Sequence, residues 1–485
     1  MISAGPHRRG KAVAGIAAAC LLLVSLGVRW PGVAMYDSVA QYRQVLDGAY
    51  SDWHPPIMAR TWALLRYIHD GTAPFFLIQM VLWWGGLGAF AAALAARGRR
   101  MAAACILAIG ASPLLLGWAT VVLKDAQMAA CLVAATGLLA HYRLRDASVP
   151  GWAWAAIAVL IAYAALVRGN AAFACAPLAL AFVGWGGVRR PIGRAALVLG
   201  SILAILLVSP AINQRLLGAA ADHADYSLPV YDLAGIGHRA GAPTLPGVPQ
   251  ADWRRAERAH CYTPFFWNPY GEPDQCGFVG DRLMSHAGGG LYRAWASMIL
   301  VHPLAYAAHR LAHLNANLRL WTDPDERDAL PPVNSEPNAF GLGANPGPAA
   351  RMLVAAARWQ AVSPIGWPVT WLGVALVLLW AGVRGNGGQV RLGRALALSA
   401  ACTSASYAIV SIASDLRYHL WSILAAALAL VLLVDAGALD PRRARIGGAV
   451  LLAVVIVGSA ARLGLAAPVY TPLPTHGPPP PGARP

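Results

Sequence analysis

Apolar runs of about 20 residues recur along this chain, separated by short polar breaks that carry most of its charge. A helix of that length covers a hydrocarbon core about 30 Å thick and satisfies its own backbone hydrogen bonds within it. The pattern therefore predicts about eleven membrane spans, near 12–30, 73–96, 101–121, 126–142, 151–167, 171–187, 195–212, 364–383, 395–413, 418–436 and 446–466. The first run follows "HRRGK" and resembles a signal peptide in charge pattern. No small-residue cleavage site follows it, so it reads as a retained span.

The polar breaks differ in sign. With the N-terminus inside, the basic clusters "HRRGK", "RGRR" (97–100), "HYRLR" (141–145), "RRPIGR" (189–194), "VRGNGGQVRLGR" (383–394) and "PRRAR" (441–445) all fall on the cytoplasmic side. The positive-inside bias predicts that arrangement. The remaining breaks lie outside: 31–72, the turns at Lys124-Asp125 and Arg168-Gly169-Asn170, the long segment 213–363, and 414–419.

The expected fold is an all-α polytopic membrane protein of about eleven transmembrane helices with a mixed extracytoplasmic loop domain. Residues 1–212 form an N-terminal membrane module with seven spans and an outer loop at 31–72. Residues 213–363 are the outer segment, 364–466 a second membrane module with four spans, and 467–485 a Pro-rich disordered tail. Within the outer segment, 288–318 is amphipathic and suits a membrane interface. Cys261 and Cys276 are the two cysteines outside the predicted spans, and an oxidising compartment predicts that they pair. The aromatic-rich stretch holding Tyr262, Phe265, Phe266, Trp267 and Tyr270 suits either domain packing or sugar stacking, with packing favoured.

Composition agrees. Of 485 residues, 58% are hydrophobic and 12% charged, against about a quarter charged in an ordinary soluble domain. The net charge of +16 would suggest nucleic acid in a soluble protein. Here it resides in the inner loops, so no nucleic-acid partner is expected, and the location is an integral cell (plasma) membrane.

Almost every suggestive polar residue falls on the outer face. Asp37, in "AMYDSVAQYRQVLDG", follows the first span beside Tyr36, and either caps a short interfacial helix or serves as a general base. Asp52 and His54 stand in "YSDWHPPIMARTW", where the prolines start a helix and stiffen the backbone. His54 suits a phosphate contact or a structural role; as a metal pair with Asp52 it lacks a third ligand. Lys124 runs against the charge bias of its side of the membrane; neutralisation by Asp125 is one explanation, an anion site the other. Arg168 and Arg417, at two further outer junctions, strengthen the anion reading: three cations on the non-basic side suggest one shared phosphate or pyrophosphate.

An aspartate just after the first span, a short aromatic-containing helix, then "HPP" before another helix resembles the first outer loop of GT-C superfamily glycosyltransferases. The nearest patterns are those of protein O-mannosyltransferases and lipid A aminoarabinose transferases. Arg417-Tyr418 in "SDLRYHL" resembles an Arg-Tyr pair at the start of a late span in related families. The resemblance covers the overall layout and about forty diagnostic residues, and rests on motif order and sidedness. It implies a polyprenyl-phosphate sugar donor, transfer on the extracytoplasmic face, and Asp37 as catalytic base. Many members carry an acidic pair at this point, whereas this chain has Asp37-Ser38, without the second carboxylate for a metal. No cofactor is called for, and a metal ion stays open.

The expected chemistry is inverting transfer of a sugar to a hydroxyl on a lipid, glycan or protein acceptor within the cell envelope. Asp37 takes the proton, and Lys124, Arg417 and Arg168 bind the donor phosphate. His54, Asp52, Tyr36, Asp125, Asn170 and Tyr418 position substrate, and membrane lipids surround the spans. A cell-envelope scaffold without catalysis would require no clustering of cations and carboxylates on one face. Two further rivals are an oligosaccharide polymerase, which would lack the early Asp and "HPP", and a flippase or transporter for lipid-linked saccharides. The latter would place ionisable residues in mid-span, and few occur there.

Overall fold

A computed structural model describes residues 6–241, 245–285, 289–323, 329–343 and 345–468. The expected Pro-rich tail lies outside them from 469 onward. The chain is all-helical, 74% helix, and among the described residues no strand forms. It divides into two compact units: the first comprises 1–222, 327–405 and 416–457, the second 223–326, 406–415 and 458–485.

In the first unit, α1 (Pro6–Arg29), α2 (Tyr36–Asp47), α3 (Ile57–Leu65), α4 (Ala73–Ala96) and α5 (Arg100–Gly110) come in succession. Next are α6 (Pro113–Ala119), α7 (Lys124–Arg143), α8 (Gly151–Val167), α9 (Ala172–Phe182) and α10 (Pro191–Ala211). The second unit holds α11 (Ser227–Ala240), α12 (Gln250–Arg258), α13 (Gly277–Met284), α14 (Gly289–Val301) and α15 (Pro303–Leu318). The chain continues with α16 (Pro348–Val362), α17 (Pro368–Ala381), α18 (Gly388–Val410), α19 (Leu420–Asp435) and α20 (Pro441–Gly464).

Among the described residues, five helical stretches are long and apolar enough to cross a membrane: Arg9–Arg29, Ala73–Ala96, Pro191–Leu216, Leu416–Asp435 and Pro441–Gly464. A sixth follows if α5 and α6, bent by 56° at their junction, form one span. Gly151–Val167, Gly169–Phe182 and Pro368–Ala381 are apolar but shorter. These helices are compatible with a multi-pass membrane protein.

The core of the first unit is built on α4, which packs against α1 and α7. Backbones approach closely there because Gly86 and Gly137 face each other. A Cβ on Gly86 would come within 2.6 Å of the Val133 carbonyl oxygen, so only glycine permits this helix spacing. Two buried glutamines, Gln79 on α4 and Gln127 on α7, are paired. Gln127 donates to Gln79 Oε1 at 2.7 Å, and Gln79 donates to the carbonyls of Ala119 and Val121.

The second unit has its own apolar core, including Tyr231, Leu233, Trp253, Tyr270 and Val279. The expected Cys261–Cys276 disulfide is present within it. Phe265, Trp267 and Tyr270 are buried, in line with packing.

Candidate functional site

The first-unit site begins with the short stretch after α1. Val33 pairs with Val121 in an isolated parallel bridge, with Val122 N donating to Val33 O at 2.9 Å. Ser38 tightens the arrangement: its hydroxyl donates to Val122 O at 2.6 Å and accepts from Met35 N at 3.1 Å. The first turn of α2 is thereby fixed beside the start of α7. The helix cap itself is Met35, so Asp37 lies inside the first turn with its carboxylate released from the capping role. A left-handed Gly48 ends α2, where a side chain would be strained.

Asp37 Oδ2 meets two cations. Lys124 Nζ lies 3.4 Å away and Arg417 Nη2 3.3 Å away. Lys124 also approaches His54 Nδ1 at 2.8 Å. Asp125, almost fully buried, pairs through Oδ1 with Arg168, while its Oδ2 lies 3.9 Å from Arg417 Nε. Arg168 further donates to Asn170 Oδ1 at 2.6 Å and lies 4.0 Å from the ring centre of Tyr418. Arg417 lies 5.4 Å from the same ring, so one tyrosine serves both guanidinium groups.

Three cations thus share two carboxylates. Burial alone would raise the Asp37 carboxyl, but Lys124 and Arg417 outweigh it and hold it well below the usual carboxylate range. Burial, then the Lys124 charge, pushes the His54 imidazole down to about 3, against the pull of Asp37. At neutral pH His54 is uncharged, and its Nδ1 lone pair accepts from the Lys124 ammonium.

Family models, curated proteins and solved structures show no match to this chain.

Seven of the residues singled out on sequence as one site, Asp37, His54, Lys124, Asp125, Arg168, Asn170 and Arg417, are linked by direct contacts, with Tyr418 against the arginines. The pairing differs from simple neutralisation within Lys124-Asp125. Adjacent residues at a helix start point to different sides, so Asp125 serves the arginines and Lys124 serves Asp37 and His54. Asp52 is engaged elsewhere. It accepts from Gln214 Nε2 at 2.9 Å and from the Asp222 backbone at 2.7 Å, tying residues 214–222 to the loop before α3. Tyr36 is exposed. Among the described residues, no group of three or more His, Cys, Asp or Glu side chains is placed to hold a metal ion.

Sequence reading missed a second polar cluster, in the second unit. Asp232, wholly buried, accepts from Trp295 Nε1 at 2.8 Å and faces His309 Nε2 at 3.1 Å and Arg310 Nη2 at 2.5 Å. His309 continues to the Tyr262 hydroxyl at 3.0 Å. Asp232 sits in an otherwise apolar stretch of α11, and that lone charge was the available signal.

Proposed function

We propose that the protein is an integral membrane glycosyltransferase of GT-C type. It moves a sugar from a polyprenyl-phosphate donor to a hydroxyl acceptor, with inversion, on the extracytoplasmic face. The eleven-span topology, the inside N-terminus and an outer loop domain belong to this reading. So does a cell-envelope acceptor, whether lipid, glycan or protein. The observation that carries it is the contact of Asp37 with Lys124 and Arg417: a candidate base lies against two cations of the kind that bind phosphate.

In this mechanism the acceptor oxygen attacks the anomeric carbon as its proton passes to Asp37. The bond between that carbon and the phosphate oxygen breaks, and polyprenyl phosphate departs with the electron pair. Such a leaving group needs charge neutralisation more than a proton. Lys124 supplies it with a third N–H beyond those directed to Asp37 and His54. Arg417 and Arg168, oriented by Asp125 and Tyr418, supply the remainder.

The resting ion pairs make Asp37 a weak base. A donor phosphate drawing Lys124 and Arg417 toward itself would strengthen it, so donor binding and base activation are coupled in this scheme. The test is transfer by membranes containing the protein, supplied with radiolabelled polyprenyl-phosphate hexoses and pentoses. Label in an acceptor fraction, absent from membranes lacking the protein, is expected. Translocation of labelled donor without transfer would contradict the proposal and favour a flippase.

A further inference from the structure

Helix α15 is inverted relative to a water-facing helix. Its outer face presents Leu304, 85% exposed, then Ala307, Ala308 and Leu311, 65% exposed, at helical spacing. Leu300 and Val301, at the end of α14, are 81% and 67% exposed just before the His302–Pro303 junction. The opposite face of α15 holds its polar residues: His309, Arg310, His313 and Asn317 are all buried.

From 294 to 318, Arg310 is the sole Asp, Glu, Lys or Arg. It is turned inward to Asp232 and donates to the Ser411 carbonyl at 2.7 Å. Three further polar side chains along these helices find partners within the protein. Ser297 donates to Ala294 O at 2.8 Å, Asn315 exchanges hydrogen bonds with the Trp321 backbone, and Asn317 reaches His313 Nε2 at 3.0 Å. For an exposed side chain such as Ser297, water would not require an internal partner, whereas hydrocarbon would.

We infer that the α14–α15 corner and the outer stripe of α15 are inserted among lipid acyl chains. The 13 and 16 residues of α14 and α15 span about 20 and 24 Å, less than the bilayer core, so each enters without crossing. The same chain carries long apolar helices suited to a bilayer. A second protein copy suits the stripe poorly, because Leu, Val and Ala alone provide neither an aromatic or arginine anchor nor a polar rim. The inference is independent of the proposed catalytic activity.

Cysteine reactivity in lipid nanodiscs, which leave both membrane faces open, tests it. Leu304→Cys and Leu311→Cys are compared with Arg258→Cys on the exposed end of α12, with the parent protein as baseline for native thiols. A sulfonated maleimide is expected to label Arg258→Cys at least tenfold faster than the other two, all three labelling fully in SDS. Equal labelling in nanodiscs would overturn the inference. Oxidative cross-linking of two Leu304→Cys copies through the introduced thiols would also overturn it, in favour of a second copy. A bimane attached to Leu304→Cys before reconstitution should lose at least half its emission in acyl-brominated lipid, and unchanged emission would contradict insertion.

Discussion

The Nζ of Lys124 and the Nδ1 of His54 lie 2.8 Å apart, and the ammonium can only donate. Nδ1 is therefore the acceptor, and any proton on the neutral ring resides on Nε2. A fold that holds His54 near a pKa of about 3, against an unfolded value of about 6.5, favours the neutral ring. Between those values the unfolded state binds the extra proton, so stability rises with pH across the window and falls on acidification. His54→Asn, which keeps an acceptor near Nδ1, should flatten that dependence by up to about 1.4 kcal/mol per pH unit. Thermal unfolding in detergent from pH 4 to 7 checks it; an unchanged slope would contradict the neutral assignment.

Asp125 should matter for stability as well as function. Removing its charge leaves Arg168 and Arg417 facing each other around Tyr418 without their shared carboxylate. Breaking a buried pair from one side costs about 3–5 kcal/mol. Asp125→Ala is thus expected to lower the unfolding midpoint strongly, and Arg168→Ala should do likewise. A midpoint shift within error for both would refute the buried pairing.

Asp52 and Asp37 are close in sequence and separate in role. Asp52 is occupied by Gln214 and the Asp222 backbone, whereas Asp37 faces the cations. Asp52→Asn should leave transfer within a few-fold of the parent once expression is matched. A loss as deep as that of an Asp37 variant would mean that Asp52 belongs to the catalytic group.

Close packing of α4 on α7 predicts a third kind of defect. Gly86→Ala puts a methyl against the Val133 carbonyl at 2.6 Å and should cost about 1–3 kcal/mol through helix displacement. Gly85→Ala, one residue away with open space around it, is the control and should be near neutral. Equal midpoints for the two variants would remove the close-approach argument.

Much of the first-unit site was legible because charge sidedness is a property of sequence. Lys124, Arg168 and Arg417 stood out as cations where the bias disfavours them, and Asp37 as a carboxylate following the first long helix. Partner choice was not legible, because it depends on the turn joining 119–124 to residues 33–38 and on which way each side chain leaves α7. The α15 region read as amphipathic, but periodicity does not say which face is inside. That depends on Asp232, about 80 residues earlier, which draws His309 and Arg310 inward. Span number is harder still, since helix ends at Phe182 and Ala381 shorten runs whose apolar composition alone looked sufficient.

Orientation has its own measurement. Tyr36 adjoins Asp37 and is 73% exposed, so Tyr36→Cys reports the side on which the cluster opens. In intact cells a membrane-impermeant maleimide should label it. Labelling only after permeabilisation would put the cluster inside and overturn an extracytoplasmic site.

The most direct test of the central claim is sugar transfer by Asp37→Asn at matched expression and matched unfolding midpoint. Asparagine keeps the shape of the side chain and removes its charge and basicity. Transfer from the labelled donor should fall by about 10²–10⁴, while donor binding through Lys124, Arg168 and Arg417 persists. Transfer at the parental rate would contradict the assignment of Asp37 as the base.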